Sequence, residues 1–201
     1  MPDSLGHRLK IGVIVPSTNT VVQPEFAAMQ PAGVTNHVSR IAIPDVKLGS
    51  DNDFIAHIER MRAGIDESIE RVMTCHPDYI VNALSLEAFW EGLQGSLDML
   101  ERLEKKFSTK ISMGNNAILA ALKKVGGIKK IALITPHKPL GDERVRRFFS
   151  EAGYDITDLH SFNVNMPAEI CHVGADAMRD ATMRVNASNP DAIAQVGTGL
   201  A

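Results

Sequence analysis

The sequence predicts an α/β protein built from two similar lobes, each with a mostly parallel sheet flanked by helices. Short apolar runs alternate with longer amphipathic segments, as in sheets that helices cover on both faces. The order of these segments repeats along the chain, which indicates an internal duplication. Of the 201 residues, 44% are hydrophobic, which is enough for a substantial core.

Seven short runs of β-branched or apolar residues are predicted to form the strands. Four belong to the first half and cover residues 11–17, 37–44, 78–84 and 110–114. Three belong to the second half and cover residues 130–136, 154–164 and 191–198.

Between the strands, apolar residues recur every three or four positions and predict amphipathic helices. These helices cover residues 54–72, 89–107, 116–125, 140–152 and 168–187. Gly126 and Gly127 end the third helix. They mark the predicted boundary between an N-terminal lobe, residues 1–126, and a C-terminal lobe, residues 127–201.

The two halves open with similar strands, which end at Pro16-Ser17 and at Pro136-His137. If the second half copies the first, a helix and a strand should follow Thr198. An open sheet edge and an uncovered core face would be costly at roughly 25 cal/mol per Å² of apolar area. We therefore expect that the last helix–strand unit of the second lobe is missing and that this lobe is truncated.

Composition and charge exclude several function classes. The chain has 21 basic and 24 acidic residues and a formal net charge of -3, so it lacks the positive field that attracts nucleic acids. It contains neither an apolar run of the roughly 20 residues that a membrane helix needs nor the apolar stretch of a secretory signal. We expect a cytoplasmic homo-oligomer with no nucleic-acid partner and no membrane partner.

No metal or other cofactor is expected. Cys75 and Cys171 lie far apart with no CxxC pair, and the seven histidines include no metal-ligand spacing such as HExxH. The sequence also lacks the GxxxxGK[ST] and GxGxxG loops that bind nucleotide phosphates.

The polar loops after the strands are the candidate ligand site, because parallel sheets bind ligands beyond the carboxyl ends of their strands. These loops carry neutral hydrogen-bonding side chains, among them Ser17, Asn19, Ser85, His137 and Thr198. Together with backbone N–H groups at helix starts, such side chains suit a small carboxylate. The sequence therefore predicts a small-molecule carboxylate as the substrate.

Several of these residues also have a structural interpretation. Thr20 and Gln23 fit a capping box, which would make Thr20 a helix cap and leave Asn19 free to face the ligand. Ser85 can cap the helix that follows it, bind a ligand, or do both. His137 is expected to expose an imidazole, which is either simply solvated or serves as an acid, base or hydrogen-bond donor.

The segment IGVIVPSTNTVVQPE resembles the opening of the maleate cis-trans isomerases and arylmalonate decarboxylases, within the aspartate/glutamate racemase superfamily. The segments NALSLEAFWEG, IALITPHKPLGDERVRRFFSEAGYDI and NPDAIAQVGTGL follow in the order of the family and cover nearly the whole chain. The resemblance implies duplicated α/β lobes, a carboxylate substrate between them and no cofactor. Members of the family also continue for one helix and one strand beyond the end of this chain.

The resemblance also assigns roles to individual residues. Isomerases and racemases of this superfamily use two facing thiols, and the matching positions here are Leu84 or Ser85 and Gly197 or Thr198. Decarboxylase relatives keep the second thiol alone. None of the four matching residues is cysteine, so we expect a site without both catalytic thiols. His137 stands at the position of the family's loop tyrosine. Asn19 matches a substrate-binding asparagine of the family, and Asn165 matches a second one with looser spacing.

We therefore expect an isomerase-like enzyme that acts on a small (di)carboxylic acid such as maleate by proton transfer and by stabilising an enediolate or oxyanion. Ser85, His137 and Thr198 are the predicted catalytic residues, and Glu87 is the next candidate for proton transfer. The predicted substrate-binding residues are Ser17, Asn19, Leu84, Asn165 and Gly197. There are two alternatives. One is a decarboxylase, and thus a lyase, that acts on a malonate-type acid, and the other is a carboxylate-binding protein without catalysis.

Overall fold

Seven parallel strands form two sheets in the computed structural model, which describes residues 3–201. The first four strands are β1 (Leu9–Pro16), β2 (Val34–Ile41), β3 (Tyr79–Asn82) and β4 (Ile111–Met113), and they lie in the order β2-β1-β3-β4. The other three are β5 (Lys130–Thr135), β6 (Asp155–Ser161) and β7 (Ala192–Gln195), in the order β6-β5-β7. Every pairing between neighbouring strands is parallel. The predicted α/β architecture with two mostly parallel sheets is confirmed.

Seven α-helices and one 3-10 helix connect the strands of the described chain. They are α1 (Val22–Ala28), α2 (Asp51–Met73), α3 (Leu86–Phe89), α4 (Gly92–Phe107), α5 (Gly114–Val125), α6 (Pro139–Glu151), the 3-10 helix Pro167–His172 and α7 (Ala175–Asn186). Ser50 caps α2 through a capping box with Asp53, which fixes the start of this 23-residue helix. The short helix α1 was not among the predicted helices.

Two predicted helices are each divided in the structure. The helix predicted over 89–107 begins at Gly92, because Gly92 adopts a φ of +74° and separates α4 from α3. The helix predicted over 168–187 is interrupted at Val173 and Gly174, whose backbones are extended. Both breaks lie near the carboxyl ends of strands, and both place side chains toward the same region between the sheets.

The hydrophobic core extends across the predicted lobe boundary. The two sheets lie on either side of Gly126 and Gly127, which both have a positive φ. One cluster of buried residues nevertheless joins Phe54 of α2 and Phe89 of α3 to Phe148 of α6. A division into separate lobes at residue 126 stays a prediction, since the core of the second sheet is completed by helices of the first half.

Strand β7 pairs with β5, and no other strand of residues 3–201 lies beside it. The further helix–strand unit expected after Thr198 stays a prediction. Among the same residues, no helix is both long enough and apolar enough to cross a membrane.

Candidate active site between the two sheets

A small cleft lies between the carboxyl ends of the strands of the two sheets. Its cavity measures about 90 Å³, which is small beside the cavities that hold drug-sized ligands. The polar or titratable residues that line it come from both halves of the chain and comprise Thr18, Asn19, His57, Ser85, Glu87, His137, Cys171 and Thr198. The strand-end loops of β1, β3, β5 and β7 thus meet at one site, as parallel-sheet topology requires.

Ser85 and His137 contact each other across this cleft. Ser85 occupies the N-cap position of α3, but its hydroxyl makes no capping hydrogen bond. Its Oγ lies 3.3 Å from Nε2 of His137, which follows the carboxyl end of β5. The ligand-facing interpretation of Ser85 is therefore the one that its hydrogen bonding favours.

The expectation that His137 exposes its imidazole is wrong, because this residue is 8% exposed. Gly141 of α6 packs directly against it: a Cβ atom at Gly141 would lie 2.8 Å from the Cβ atom of His137. Burial disfavours the charged imidazolium and lowers the pKa of His137 to about 3. The ring is therefore neutral at pH 7 and acts as a hydrogen-bond donor or acceptor.

Asn19 holds together the loop after β1 and links it to the second sheet. Its Oδ1 accepts hydrogen bonds from the backbone N–H groups of Val21 and Val22, each at 2.9 Å. Its Nδ2 donates to Oγ1 of Thr198 at 3.2 Å. Asn19, rather than Thr20, therefore satisfies the first N–H groups of α1, and the predicted capping role of Thr20 is wrong because its hydroxyl makes no capping hydrogen bond.

Thr198 completes a chain of hydrogen bonds across the cleft. Its Oγ1 donates to the backbone carbonyl of Ala83 at 3.0 Å and accepts from Asn19. The preceding residue, Gly197, has a φ of +143°, and a Cβ atom there would lie 2.7 Å from Cδ of Pro136. Glycine at this position lets the loops after β5 and β7 approach each other closely.

Glu87 contributes a buried carboxyl group to the cleft, and it is 6% exposed. Burial raises the pKa of Glu87 to about 7, although hydrogen bonds from the backbone N–H groups of Glu87 and Ser85 and the charge of Arg62 partly oppose this rise. Glu87 thus lines the same cleft as Ser85, and its carboxyl group changes its charge near neutral pH.

Comparison with known protein families identifies the group of proteins to which this chain belongs. The model of the arylmalonate decarboxylase family matches residues 11–200. The chain belongs to the arylmalonate decarboxylase family. As a member of this family the chain is an enzyme, and the match leaves the class of its reaction open.

Solved structures with the same fold include isomerases and decarboxylases. The Nocardia farcinica maleate cis-trans isomerase bound to TRIS matches with a TM-score of 0.85 and 18% identity, over 96% of this chain and 79% of that chain. The Pseudomonas putida maleate isomerase with maleate gives a TM-score of 0.85 and 18% identity over the same shares. A double variant of arylmalonate decarboxylase in its liganded form gives 0.81 and 18%, again over 96% and 79%. A search of curated protein sequences gives no significant match.

Three of the predicted substrate-binding residues of this arylmalonate decarboxylase family member lie outside the cleft lining. Ser17 is exposed, and its hydroxyl exchanges hydrogen bonds with the backbone of Ile43. Leu84 is 1% exposed and packs in the core of the first sheet. Asn165 is exposed, and its Oδ1 accepts a hydrogen bond from Nζ of Lys138 at 2.5 Å. The structure therefore does not bring these three residues into the cleft, and their substrate-binding roles stay predictions.

The cleft also contains residues that the sequence analysis did not assign to the site. Cys171 lines it from the 3-10 helix, where its Sγ accepts a hydrogen bond from the backbone N–H of Thr20 at 3.4 Å. His57 lines it from α2, and no partner within residues 3–201 bonds its buried Nδ1. The pKa of His57 is lowered, mainly by burial and also by the charge of Arg60. No local sequence pattern marks these two residues as site residues.

Apolar side chains form the rest of the wall in this family member. They come mainly from α2 and from the loop before it, and comprise Ile43, Leu48, Phe54, Ile58 and Met61. The helical spacing of the last three predicts a buried face, but it does not indicate that this face borders a cavity. Within residues 3–201, no lysine or arginine lines the cleft, and no group of three histidine, cysteine or acidic side chains is placed to hold a metal ion.

Proposed function

We propose that this protein is an enzyme that binds a small carboxylic acid in the cleft and stabilises an enediolate formed from it, without a thiol at the ends of β3 and β7. The observation that carries this proposal is the contact between Ser85 and His137, whose side chains come from different halves of the chain and meet at 3.3 Å in the cleft. The solved relatives support the choice of ligand, because the Pseudomonas putida isomerase binds maleate and the Nocardia farcinica isomerase forms a succinylcysteine intermediate.

Ser85 and His137 act together on the oxygen atom that gains negative charge. A neutral imidazole with its proton on Nε2 donates to Oγ of Ser85 and leaves the serine O–H free to donate to the substrate. Donors that are already oriented in a water-poor site stabilise a developing oxyanion strongly, and the loss of one typically costs 10² to 10³ in rate. Because the pKa of His137 is about 3, its role is to donate a hydrogen bond rather than to transfer a proton as an imidazolium.

Asn19 and Thr198 support this centre by fixing the loops that surround it. The Thr198 hydroxyl proton is engaged by the carbonyl of Ala83, so the contribution of Thr198 is to hold the two loops in register. The proton that moves to or from carbon is assigned to Glu87, since a general acid or base works best with a pKa near the working pH.

Isomerisation or racemisation is the first candidate reaction. Protonated Glu87 can add its proton to a carbon atom of the substrate, which turns the double bond of an acid such as maleate into a single bond that rotates, and Glu87 can then take a proton back from that carbon. Decarboxylation is the second candidate, and the apolar wall formed by Phe54, Ile58 and Met61 favours it. A carboxylate that loses its hydration against such a wall is destabilised relative to the carbon dioxide and the delocalised anion that it forms.

Proton and carbon NMR in D2O would distinguish these reactions with one panel of maleate, malonates and amino diacids. Isomerisation would convert maleate to its trans isomer, racemisation would introduce deuterium at the stereocentre, and decarboxylation would release carbon dioxide. A His137→Gln variant is expected to lose most of the turnover that the wild-type protein shows. Full turnover in that variant would refute the assigned role of His137.

A carboxylate-binding protein without catalysis is the remaining alternative. A ligand that binds the folded state alone raises the melting temperature by mass action. Stabilisation by an acid that the wild-type protein leaves chemically unchanged, in the same D2O experiment, would favour binding over catalysis.

A further inference from the structure

The cleft presents an electrostatic problem to the acid that we propose it binds. Its lining within residues 3–201 contains no lysine and no arginine, but it contains the carboxyl group of Glu87. Two carboxylates in a water-poor cavity repel each other strongly, because the interaction of like charges grows as the local dielectric falls. A carboxylate ligand therefore requires that the charge of Glu87 be removed or balanced.

No counter-ion is available to balance that charge. Glu87 forms no salt bridge with any other residue of the described chain. Arg62 acts on it electrostatically, but the guanidinium of Arg62 pairs with Glu91 at 2.7 Å. Glu87 is 6% exposed, belongs to the short helix α3 that begins directly after Ser85, and lines the same cleft as the Ser85–His137 pair.

We propose that Glu87 takes up a proton when the cleft binds a carboxylate, so that the acid enters together with one proton and without a cation. The protonated carboxyl group then carries an O–H donor that bonds the ligand, and the pair shares a single negative charge. This inference rests on the proposed function, because it assumes a carboxylate ligand. It adds the charge state in which the cleft accepts that ligand.

Other titratable groups around Glu87 do not account for such an uptake near neutral pH. Burial lowers the pKa of both His57 and His137, so both rings are neutral there. Cys171 also lines the cleft, from the 3-10 helix. Charged groups on the surrounding elements include Arg62 of α2, Glu91 before α4 and Arg144 of α6, which lies 5.0 Å over the ring of Trp90. Burial also raises the pKa of Asp142 of α6, but this carboxyl group accepts a hydrogen bond from Thr135 and does not line the cleft.

Isothermal titration calorimetry of the full chain with phenylacetate and butyrate tests this inference. The carboxyl groups of these two probes ionise well below pH 6, so the ligand takes up no proton between pH 6 and pH 8. The dependence of the binding enthalpy on the ionisation enthalpy of the buffer gives the number of protons taken up. We expect close to one proton at pH 8, where free Glu87 is mostly ionised, and a much smaller number at pH 6.

The affinity of the protein for these two probes should change with pH in parallel with the proton uptake. Between pH 7 and pH 8 the Kd of the wild-type protein is expected to rise about fivefold, since one proton binds with the ligand and about half of free Glu87 is already protonated at pH 7. The Glu87→Gln variant keeps a hydrogen-bond donor at this position and should bind both probes with a Kd that does not depend on pH and without proton uptake.

Two further variants serve as controls. Glu101→Gln removes an exposed carboxyl group from α4, and Cys171→Ser removes the thiol from the cleft, so both should retain the uptake. Binding of either probe at pH 8 without proton uptake by the wild-type protein, or an uptake that persists in Glu87→Gln, would overturn the inference about Glu87 and leave the proposed carboxylate site standing. No binding of these probes or of the diacid panel at any pH from 6 to 8 would overturn both.

Discussion

At the scale of single residues, the chemistry of the site depends on two titratable groups whose pKa values burial moves in opposite directions. The pKa of the His137 imidazole falls to about 3, and that of the Glu87 carboxyl group rises to about 7. Both shifts favour the uncharged form, because a cavity with apolar walls solvates ions poorly. The result is a neutral cleft with one group, Glu87, that can gain or lose a proton near pH 7.

Removal of the Ser85 hydroxyl should impair turnover without unfolding the protein. Ser85→Ala deletes the group that links His137 to the developing oxyanion, and we expect kcat to fall by roughly 10² to 10³. The rate is measured with whichever acid of the D2O panel is converted. Ser17→Ala is the matched control, because Ser17 is exposed and does not line the cleft. Equal rates for the two variants would contradict this role.

Glu87 should make the stability of the protein depend on pH. Its folded-state pKa lies near 7 and its ordinary value is 4.5, so the folded protein binds more protons than the unfolded chain between these values. The free energy of unfolding therefore loses about 3 kcal/mol as the pH rises from 4.5 to above 7. Glu87→Gln should lack this loss.

Urea unfolding followed by circular dichroism at pH 5, 6, 7 and 8 measures this difference. The stability of Glu87→Gln relative to the wild-type protein should increase with pH. His137 contributes with the opposite sign, since its lowered pKa makes stability fall as the pH drops below 6.5, but this contribution is common to both proteins and cancels in the comparison. A difference that is constant across the four pH values would contradict the prediction.

At the scale of secondary-structure elements, helix breaks decide which side chains reach the cleft. The break between α3 and α4 lets Leu86 to Phe89 form a separate turn, which directs Glu87 into the cleft and Phe89 into the core. Gly92 makes this break possible with a φ of +74°. Its neighbour Leu93 donates its backbone N–H to Glu151 at 2.7 Å, which fixes the start of α4 against α6.

Replacement of Gly92 should therefore destabilise the protein. A Cβ atom at Gly92 would collide with the carboxylate of Glu151, and the positive φ is itself costly for any other residue. We expect Gly92→Ala to lower the free energy of unfolding by about 1–3 kcal/mol in urea titrations. Gly49→Ala is the control, since the only close atom around a Cβ atom there lies at 3.7 Å. If Gly92→Ala lowers the free energy of unfolding no more than Gly49→Ala does, the break between α3 and α4 does not require glycine at position 92.

At the scale of the whole molecule, one aromatic cluster joins the two halves. The ring centroid of Phe89 from α3 lies 4.8 Å from that of Phe148 and 5.8 Å from that of Phe149, both in α6. All three side chains are at most 2% exposed. The loop before α2 also crosses to the second half, where Leu48 donates its backbone N–H to the carbonyl of Asn165 at 2.8 Å. The walls of the cleft are therefore fixed by contacts between the halves.

This arrangement predicts that the two halves unfold together. Phe148→Ala leaves a cavity in the shared cluster and should cost about 3–5 kcal/mol. Differential scanning calorimetry should show a single transition for the wild-type protein and for the variant, shifted to lower temperature in the variant. Two transitions in the wild-type protein, with one unaffected by Phe148→Ala, would show that the halves are independent.

Hydrophobic periodicity, turn residues and family motifs are local, so the strands, most of the helices, the family and the meeting of the polar strand-end loops could be predicted from the order of the residues alone. All seven predicted strands are present, and Asn19, Ser85, His137, Gly197 and Thr198 line one cleft.

Properties that depend on contacts between residues distant in the sequence could be read only from the folded chain. These include the burial of His137, the entry of Cys171 and His57 into the cleft, and the position of Ser17 and Asn165 outside it. The reason is physical: a pKa and the exposure of a side chain depend on what surrounds a group in space, and a local pattern of residues does not contain that information.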